Sequence, residues 1–279
     1  DQTKSVMPHS MRKDGSLISG SIYNWTSGFF PRTLWYLAEQ SNDSALKDSA
    51  LRWTQKLEPV KTFTDNHDIG FMMYCSYGNA YRITKNEAYK EVLLQSAKSL
   101  MTRYNPVTGV IKSWDSWTTW DGNKKFNYPV IIDNMMNLEL LFFASKITGD
   151  NSFRNAAISH ATKTMQYQVR KDGSCFHIMT YDSATGKPLK GVTSQGYADN
   201  SAWARGLGWG IYGFTMVYRE TGDIRFLKTA QRMADFYLNS QWLPSDKVPY
   251  WDFNANQVGY KPGKRSSASK VPVMYRDAS

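Results

Sequence analysis

Four times along this 279-residue chain an apolar segment leads through a short polar break into an amphipathic segment, and this repeat limits the possible folds more than any other feature. The breaks are Ser41-Asn42-Asp43, Thr84-Lys85-Asn86, Thr148-Gly149-Asp150 and Thr221-Gly222-Asp223. In the last two, Thr-Gly-Asp recurs outright, followed by Phe153 and Phe226 at the same spacing. Glycine at a helix end adopts the left-handed conformation that stops it, and the following Asp can cap the next helix. Residues 131–147, with Ile131, Ile132, Met135, Met136, Leu138 and Leu140–Phe143, are apolar nearly all round, whereas the next segment carries one stripe, Phe153, Ala156, Ala157, Ala161, Thr164 and Met165. The same contrast separates 68–83 from 87–104, and 201–220 from 223–239.

Inner helices that are greasy on every side, walled by half-buried outer ones, predict an all-α fold: an α/α barrel or toroid rather than a flat solenoid. Eight helices are expected, and a closed ring of hairpins needs more chain, so the sequence reads as a single domain over 1–279 that is incomplete at its C-terminal end. The opening Asp1-Gln2-Thr3-Lys4 reads as a processed or trimmed product. Strand signals are thin. The connectors 105–130 and 171–198 exceed usual lengths, which marks them as functional loops.

Composition sets outer limits. Hydrophobic residues at 41% and charged residues at 21% exclude a disordered chain, and no run of about 18 apolar residues exists to span a bilayer. The formal charge of +10 favours anionic partners. The two cysteines, Cys75 and Cys175, cannot make a disulfide framework, and Cys75 in its apolar run reads as a buried free thiol. Aromatic residues at 14% suit either a sugar-stacking surface or a large aromatic core. The four histidines, His9, His67, His160 and His177, lack ligand spacing, and no zincin, Cys-x-x-Cys or P-loop pattern occurs. No metal and no cofactor are expected.

Three inner segments begin near an aspartate: Asp68, Asp133 and Asp199, with Asp277 in a comparable place at the end of the chain. Each can be a helix cap. In a ring of hairpins, however, all inner helices start at one mouth, so these carboxylates would also converge on one cavity beside helix ends that attract anions. Helix ends lower a carboxylate pKa, and a general acid needs apolar burial to oppose that. Asp133, set among Ile131, Ile132, Met135 and Met136, has the greasier surroundings and is the better proton donor of the three.

Gln195 to Gly213 is the least ordinary stretch. Gly206, Gly208, Gly210 and Gly213 lie in what should be helix, each costing about 1 kcal/mol relative to Ala. Close helix contact and ligand approach both account for them. Arg205 in an apolar helix calls for an anionic partner, such as a ligand carboxylate or one of the aspartates, and Trp203 or Trp209 could stack on a sugar ring. His67 can orient Asp68 or simply neighbour a cap, and His177 lies in a long connector. Trp114, Trp117 and Trp120 crowd one loop, where exposed tryptophans suggest ligand contact.

Three ordered motifs, Asn66-His67-Asp68-Ile69-Gly70-Phe71, Pro129-Val130-Ile131-Ile132-Asp133-Asn134-Met135-Met136-Asn137-Leu138 and Asp199-Asn200-Ser201-Ala202-Trp203-Ala204-Arg205-Gly206, make the chain resemble the unsaturated glucuronyl hydrolases of glycoside hydrolase family 88 from about Trp25 to Ser279. The resemblance implies an (α/α)6 barrel, with Asp133 matching the catalytic acid/base and Asp68 the assisting carboxylate. Trp25, Trp114, His177, Gln195, Arg205 and Trp209 match positions that line the family's sugar site. It further implies removal of a terminal 4,5-unsaturated uronic acid from lyase-generated, glycosaminoglycan-type oligosaccharides by hydration of the C4=C5 double bond. No nucleic-acid or membrane partner is expected, the oligomeric state is unassigned, and a periplasmic or secreted setting is expected. The rival readings are an unsaturated rhamnogalacturonyl hydrolase, a non-catalytic sugar-binding toroid and an inverting two-carboxylate hydrolase. The chain departs from the family at Arg276-Asp277-Ala278-Ser279, where members continue.

Overall fold

Each polar break turns one helix into the next by local backbone chemistry. The computed structural model describes residues 6–119, 122–262 and 276. Helices α1 (Phe29–Ser41) and α2 (Ser44–Gln55) meet at Asn42, whose φ is 55°, and Asp43 accepts hydrogen bonds from the backbone N–H of Ala45 and Leu46. The second apolar segment comprises α3 (Ile69–Met73), a π-helical turn (Tyr74–Gly78) and α4 (Asn79–Thr84). It leads through Lys85, with φ of 57°, and Asn86, which caps Ala88, into α5 (Glu87–Met101). The third consists of a 3-10 turn (Ile132–Met136) and α6 (Leu138–Thr148), separated from α7 (Asn151–Tyr167) by Gly149 with φ of 74°. The fourth pairs α8 (Ala204–Thr221) with α9 (Ile224–Asn239) across Gly222, φ 71°, and the cap of Asp223 on Arg225 N–H. Left-handed backbone thus ends a helix at all four breaks, twice without glycine.

The described residues fall into two compact units, one made of Asp1–Arg103 with Glu139–Phe153, the other of Tyr104–Leu138 with Arg154–Ser279. The first holds the hairpin of β1 (Val6–Met11) and β2 (Leu17–Ser21), helices α1–α5 and most of α6. Its inner segment is buried as the pattern predicts, with Ile69, Gly70, Phe71, Met72 and Met73 all shielded from solvent.

The second unit corrects the reading of the connectors 105–130 and 171–198 as loops with few strands. Residues 104–131 form β3 (Tyr104–Asn105), β4 (Val110–Ile111), β5 (Trp117–Thr118), β6 (Lys125–Phe126) and β7 (Pro129–Ile131), and 178–192 add β8 (Ile178–Tyr181) and β9 (Pro188–Val192). β7, β8 and β9 make an antiparallel three-stranded sheet in that order, with Ile131 opposite Ile178 and Ile178 opposite Val192. Trp114 and Trp117 pack on the Ile131–Ile178–Val192 cluster, so they are half-buried in the sheet's face rather than exposed at a loop tip. Trp120 and Asp277 lie outside the described residues.

α8 stacks on α9 through Phe214 and Phe226, whose rings are 6.3 Å apart and nearly parallel. Its glycines explain how the 3-10 turn is seated. A Cβ on Gly206 would come within 3.2 Å of Ile132 Cγ2, and one on Gly213 within 2.4 Å of Met135 Cβ. Gly206, Gly210 and Gly213 share one helix face, and that face is a groove occupied by the turn. Close contact therefore accounts for these glycines. Gly213→Ala is expected to cost about 2 kcal/mol, the upper end of overpacking less the gain of about 1 kcal/mol in helix propensity. At Gly210 the nearest obstacle is the flexible Cε of Met233, so Gly210→Ala should stay within about 0.5 kcal/mol of the parent. Urea unfolding of both variants checks the contrast. Both cysteines are free; Cys175 is buried and Cys75 half-buried, its thiol pushed up to about 11 by burial. No helix among the described residues is long and apolar enough to cross a membrane.

Candidate functional site

The chain enters the 3-10 turn directly from β7, and backbone hydrogen bonds hold that junction. Ile132 N–H donates to His177 O at 2.9 Å, Ile131 N–H to Ser113 Oγ at 2.9 Å, and the Asn134 side chain to Ile111 O at 2.8 Å. Gln168, just after α7, donates from Nε2 to the carbonyls of Val130, Phe176 and His177, which ties β7 to the residues that lead into β8, close to Asp133 and His177. Nothing in the sequence points to Gln168, because an isolated amide at a helix end carries no motif.

Asp133 is buried, and its Oδ1 lies 3.8 Å from His177 Nε2. The opposite ring nitrogen, Nδ1, receives the backbone N–H of Ser194 at 3.0 Å and of Gln195 at 3.2 Å. Two donors aimed at Nδ1 leave no place for a proton there, so the neutral imidazole carries its proton on Nε2, the atom facing Asp133. The ring is also held between Trp114, 6.5 Å away and edge-on, and Trp203, 4.7 Å away. His177 was expected in a connector; it is instead a buried residue at the head of β8.

Arg205, in the first turn of α8, donates to Gln195 Oε1 at 3.2 Å and lies over the Trp203 ring at 4.6 Å. Trp209, one turn further, packs on a cluster of Tyr197, Ala198, Trp203 and Trp251. Within this unit, then, Asp133, His177, Gln195, Arg205, Trp114 and Trp209 belong to one connected set of sheet ends, loop and helix start.

Trp25 and Asp68 belong to the other unit. Trp25 is partly exposed and packs edge-on against Phe29 and Phe71, at 5.7 and 5.6 Å. Asp68 Oδ1 lies 3.2 Å from Nε2 of the fully buried His67, so His67 contacts the carboxylate. Burial raises the Asp68 carboxyl to about 7, against the lowering influence of Arg103.

Helix capping fails for all three aspartates. Asp68 occupies the N-cap of α3, but its backbone is helical (φ −71°, ψ 0°) and its side chain makes no cap hydrogen bond. A cap needs the extended conformation to reach back to the first free N–H groups. Asp133 lies inside the 3-10 turn, whose N-cap is Ile131. Asp199 precedes α8 by several residues, accepts Thr193 N–H at 3.1 Å and pairs with Lys190 at 3.1 Å. Among the described residues no group of three or more His, Cys, Asp or Glu side chains is placed to hold a metal.

A family profile described as Glycosyl Hydrolase Family 88 matches residues 2–243. An unsaturated glucuronyl hydrolase of Formosa agariphila is 46% identical over 250 residues, 89% of this chain and 61% of the relative. An unsaturated chondroitin disaccharide hydrolase of Streptococcus pyogenes serotype M1 is 36% identical over 98% of this chain and 67% of its own. Among solved structures, an unsaturated glucuronyl hydrolase specific for heparin superposes with a TM-score of 0.85 at 43% identity, covering 91% of this chain and 67% of that one. The chain thus spans about 61% of the length of the F. agariphila relative. The structural likeness bears out the all-α, α/α-barrel fold class.

Proposed function

The chain belongs to glycoside hydrolase family 88, and from that membership we propose that it removes a 4,5-unsaturated uronic acid from the end of glycosaminoglycan-derived oligosaccharides. The relatives are hydrolases of unsaturated glucuronyl and chondroitin disaccharide substrates, which supports that substrate class, as does the chain's charge of +10. The observation that carries the reading is a buried carboxyl, Asp133, faced by the Nε2 of a tautomerically fixed His177.

Such a carboxyl suits hydration of an enol ether. Protonated Asp133 delivers its proton to C4, and positive charge develops at C5, shared with the ring oxygen. The resulting carboxylate then takes a proton from water as the water attacks C5. The product is a hemiketal, which opens to a C5 ketone; C1 becomes an aldehyde as its bond to the leaving sugar oxygen breaks. One carboxyl therefore acts first as acid and then as base, unlike the paired carboxylates of ordinary glycoside hydrolysis. The family resemblance gives Asp68 the sugar hydroxyls, and Arg205 with Gln195 suits the uronate carboxylate, an anion that a guanidinium recognises. Trp114 and Trp209 offer flat apolar faces for the pyranose.

Incubation with unsaturated glycosaminoglycan disaccharides should abolish the ultraviolet absorbance of the conjugated enoate. Persistence of that absorbance across sulfated and unsulfated disaccharides would overturn the reading. Cleavage confined to pectin-derived substrates would transfer it to rhamnogalacturonyl chemistry.

A further inference from the structure

Asp252 was not singled out by any sequence motif, yet it is almost wholly buried and is saturated with donors. Its Oδ2 accepts the backbone N–H of Tyr197 at 2.8 Å and the Ser201 hydroxyl at 2.7 Å, and its Oδ1 accepts Asn254 N–H at 2.9 Å. Around it the segment 251–254 is laced to the start of α8: Phe253 N–H donates to Ala202 O, Ala204 N–H to Trp251 O, and Ala202 N–H to the Asn254 side chain, all within 2.9–3.0 Å.

The clamped segment leads to the site. Gly196 N–H donates to Thr193 Oγ1 at 2.8 Å, and Thr193 N–H to Asp199 Oδ1 at 3.1 Å, which closes residues 193–199 into a tight turn. A Cβ on Gly196 would come within 2.7 Å of Thr193 Oγ1 and 3.1 Å of Asp252 Oδ2, so the turn rests against the carboxylate. The same turn supplies both N–H groups on His177 Nδ1 and the Gln195 side chain on Arg205.

We propose that Asp252 is a positioning residue: its carboxylate fixes the turn Thr193–Asp199, and through it holds His177 with the proton on Nε2 and Gln195 against Arg205. Three convergent donors demand an acceptor-only group. An amide of the same shape would set its NH2 against one of them, and an apolar side chain would leave all three unsatisfied. Burial raises the Asp252 carboxyl to about 6, while those donors and Arg170 pull it down. Turn and carboxylate stabilise each other.

The clamp stands on geometry alone; its catalytic consequence rests on the proposed function. The test is Asp252→Asn and Thr193→Val in the full chain, each followed by 15N spectra of the histidine side chains and by kcat and KM on an unsaturated disaccharide. His177 is assigned by loss of its signals in His177→Gln. The parent should show a bare Nδ1 and a protonated Nε2 for His177. Both variants should lose that single tautomer, with kcat lower by about 10-fold to 10²-fold, the cost of misplacing a reacting group by about 1 Å. Folded variants that keep the tautomer, or that keep kcat within about twofold, overturn the proposal. If Asp252→Asn does not fold, Thr193→Val decides the outcome, because it removes one hydroxyl from the turn and leaves the carboxylate in place. A parent inert on every unsaturated disaccharide would sink the proposed activity, while the tautomer readout would still judge the clamp.

Discussion

Asp133→Asn is expected to lower kcat on an unsaturated uronyl disaccharide by about 10³-fold or more, with KM changed only a few-fold. The size follows from the chemistry, since a positioned acid that also returns as base contributes about 10²- to 10⁴-fold, and here one group does both. The substitution bears on chemistry more than on architecture, because the turn is seated in large part by the neighbours of Asp133. Ile132 N–H to His177 O and Ile131 N–H to Ser113 Oγ are made by the backbone of its neighbours, and the contacts with α8 are made by Ile132 and Met135. An amide oxygen can still face His177 Nε2. What it lacks is a proton to give to C4 and the means to accept one from water. The measurement is the initial rate of absorbance loss, with unchanged urea unfolding as the control. A variant that retains more than about a tenth of the parent rate would remove Asp133 from the proton-transfer steps.

The hairpin order was legible in the sequence because it is written in local chemistry. Asp43, Asn86 and Asp223 cap the helices they precede, and Gly149 and Gly222 end helices with positive φ, each within a few residues of its cause. The apolar run 131–147 announced its burial equally well. It could not announce its conformation: a continuous apolar segment has no period to tell a β7 strand and a 3-10 turn from the first turns of a helix. The sheet β7–β8–β9 was missed for a related reason. Its outer strand Pro188–Val192 opens on a proline, contains Gly191 and is fully buried only at Val192, and the pairing joins residues about 50 apart, as in Val130 with Met179. That non-local pairing is what brings His177 to Asp133, so the residue types of the site were legible and the scaffold that orients them was not. Asp252 and Gln168 belong to the same class. Their work is to receive or supply hydrogen bonds to distant backbone, which leaves no spacing in the chain to read.

Asp68→Asn should act on activity and stability in opposite directions. Turnover is expected to fall by about 10²-fold or more if the carboxyl binds the sugar hydroxyls and the developing positive charge, since an amide supplies neither the charge nor the second acceptor. Stability should rise. The folded carboxyl titrates near 7 against an ordinary value of 3.8, with burial as the leading cause. Between those two pH values the native protein binds a proton that the unfolded chain does not, so native stability declines as pH climbs through that window. Below about 4 both states are protonated, and the variant should match the parent. Above about 7 the native protein holds a buried charge that asparagine removes. At 1.36 kcal/mol per pH unit the full difference would approach about 4 kcal/mol, and because 15% of the side chain remains exposed about 2 kcal/mol is the expected gain at pH 8. Paired urea titrations of parent and variant at pH 4 and pH 8 measure it. Equal stability at both pH values would mean that the Asp68 carboxylate is solvated as an ordinary surface acid. That would take away the desolvated carboxylate on which its assignment to the sugar depends.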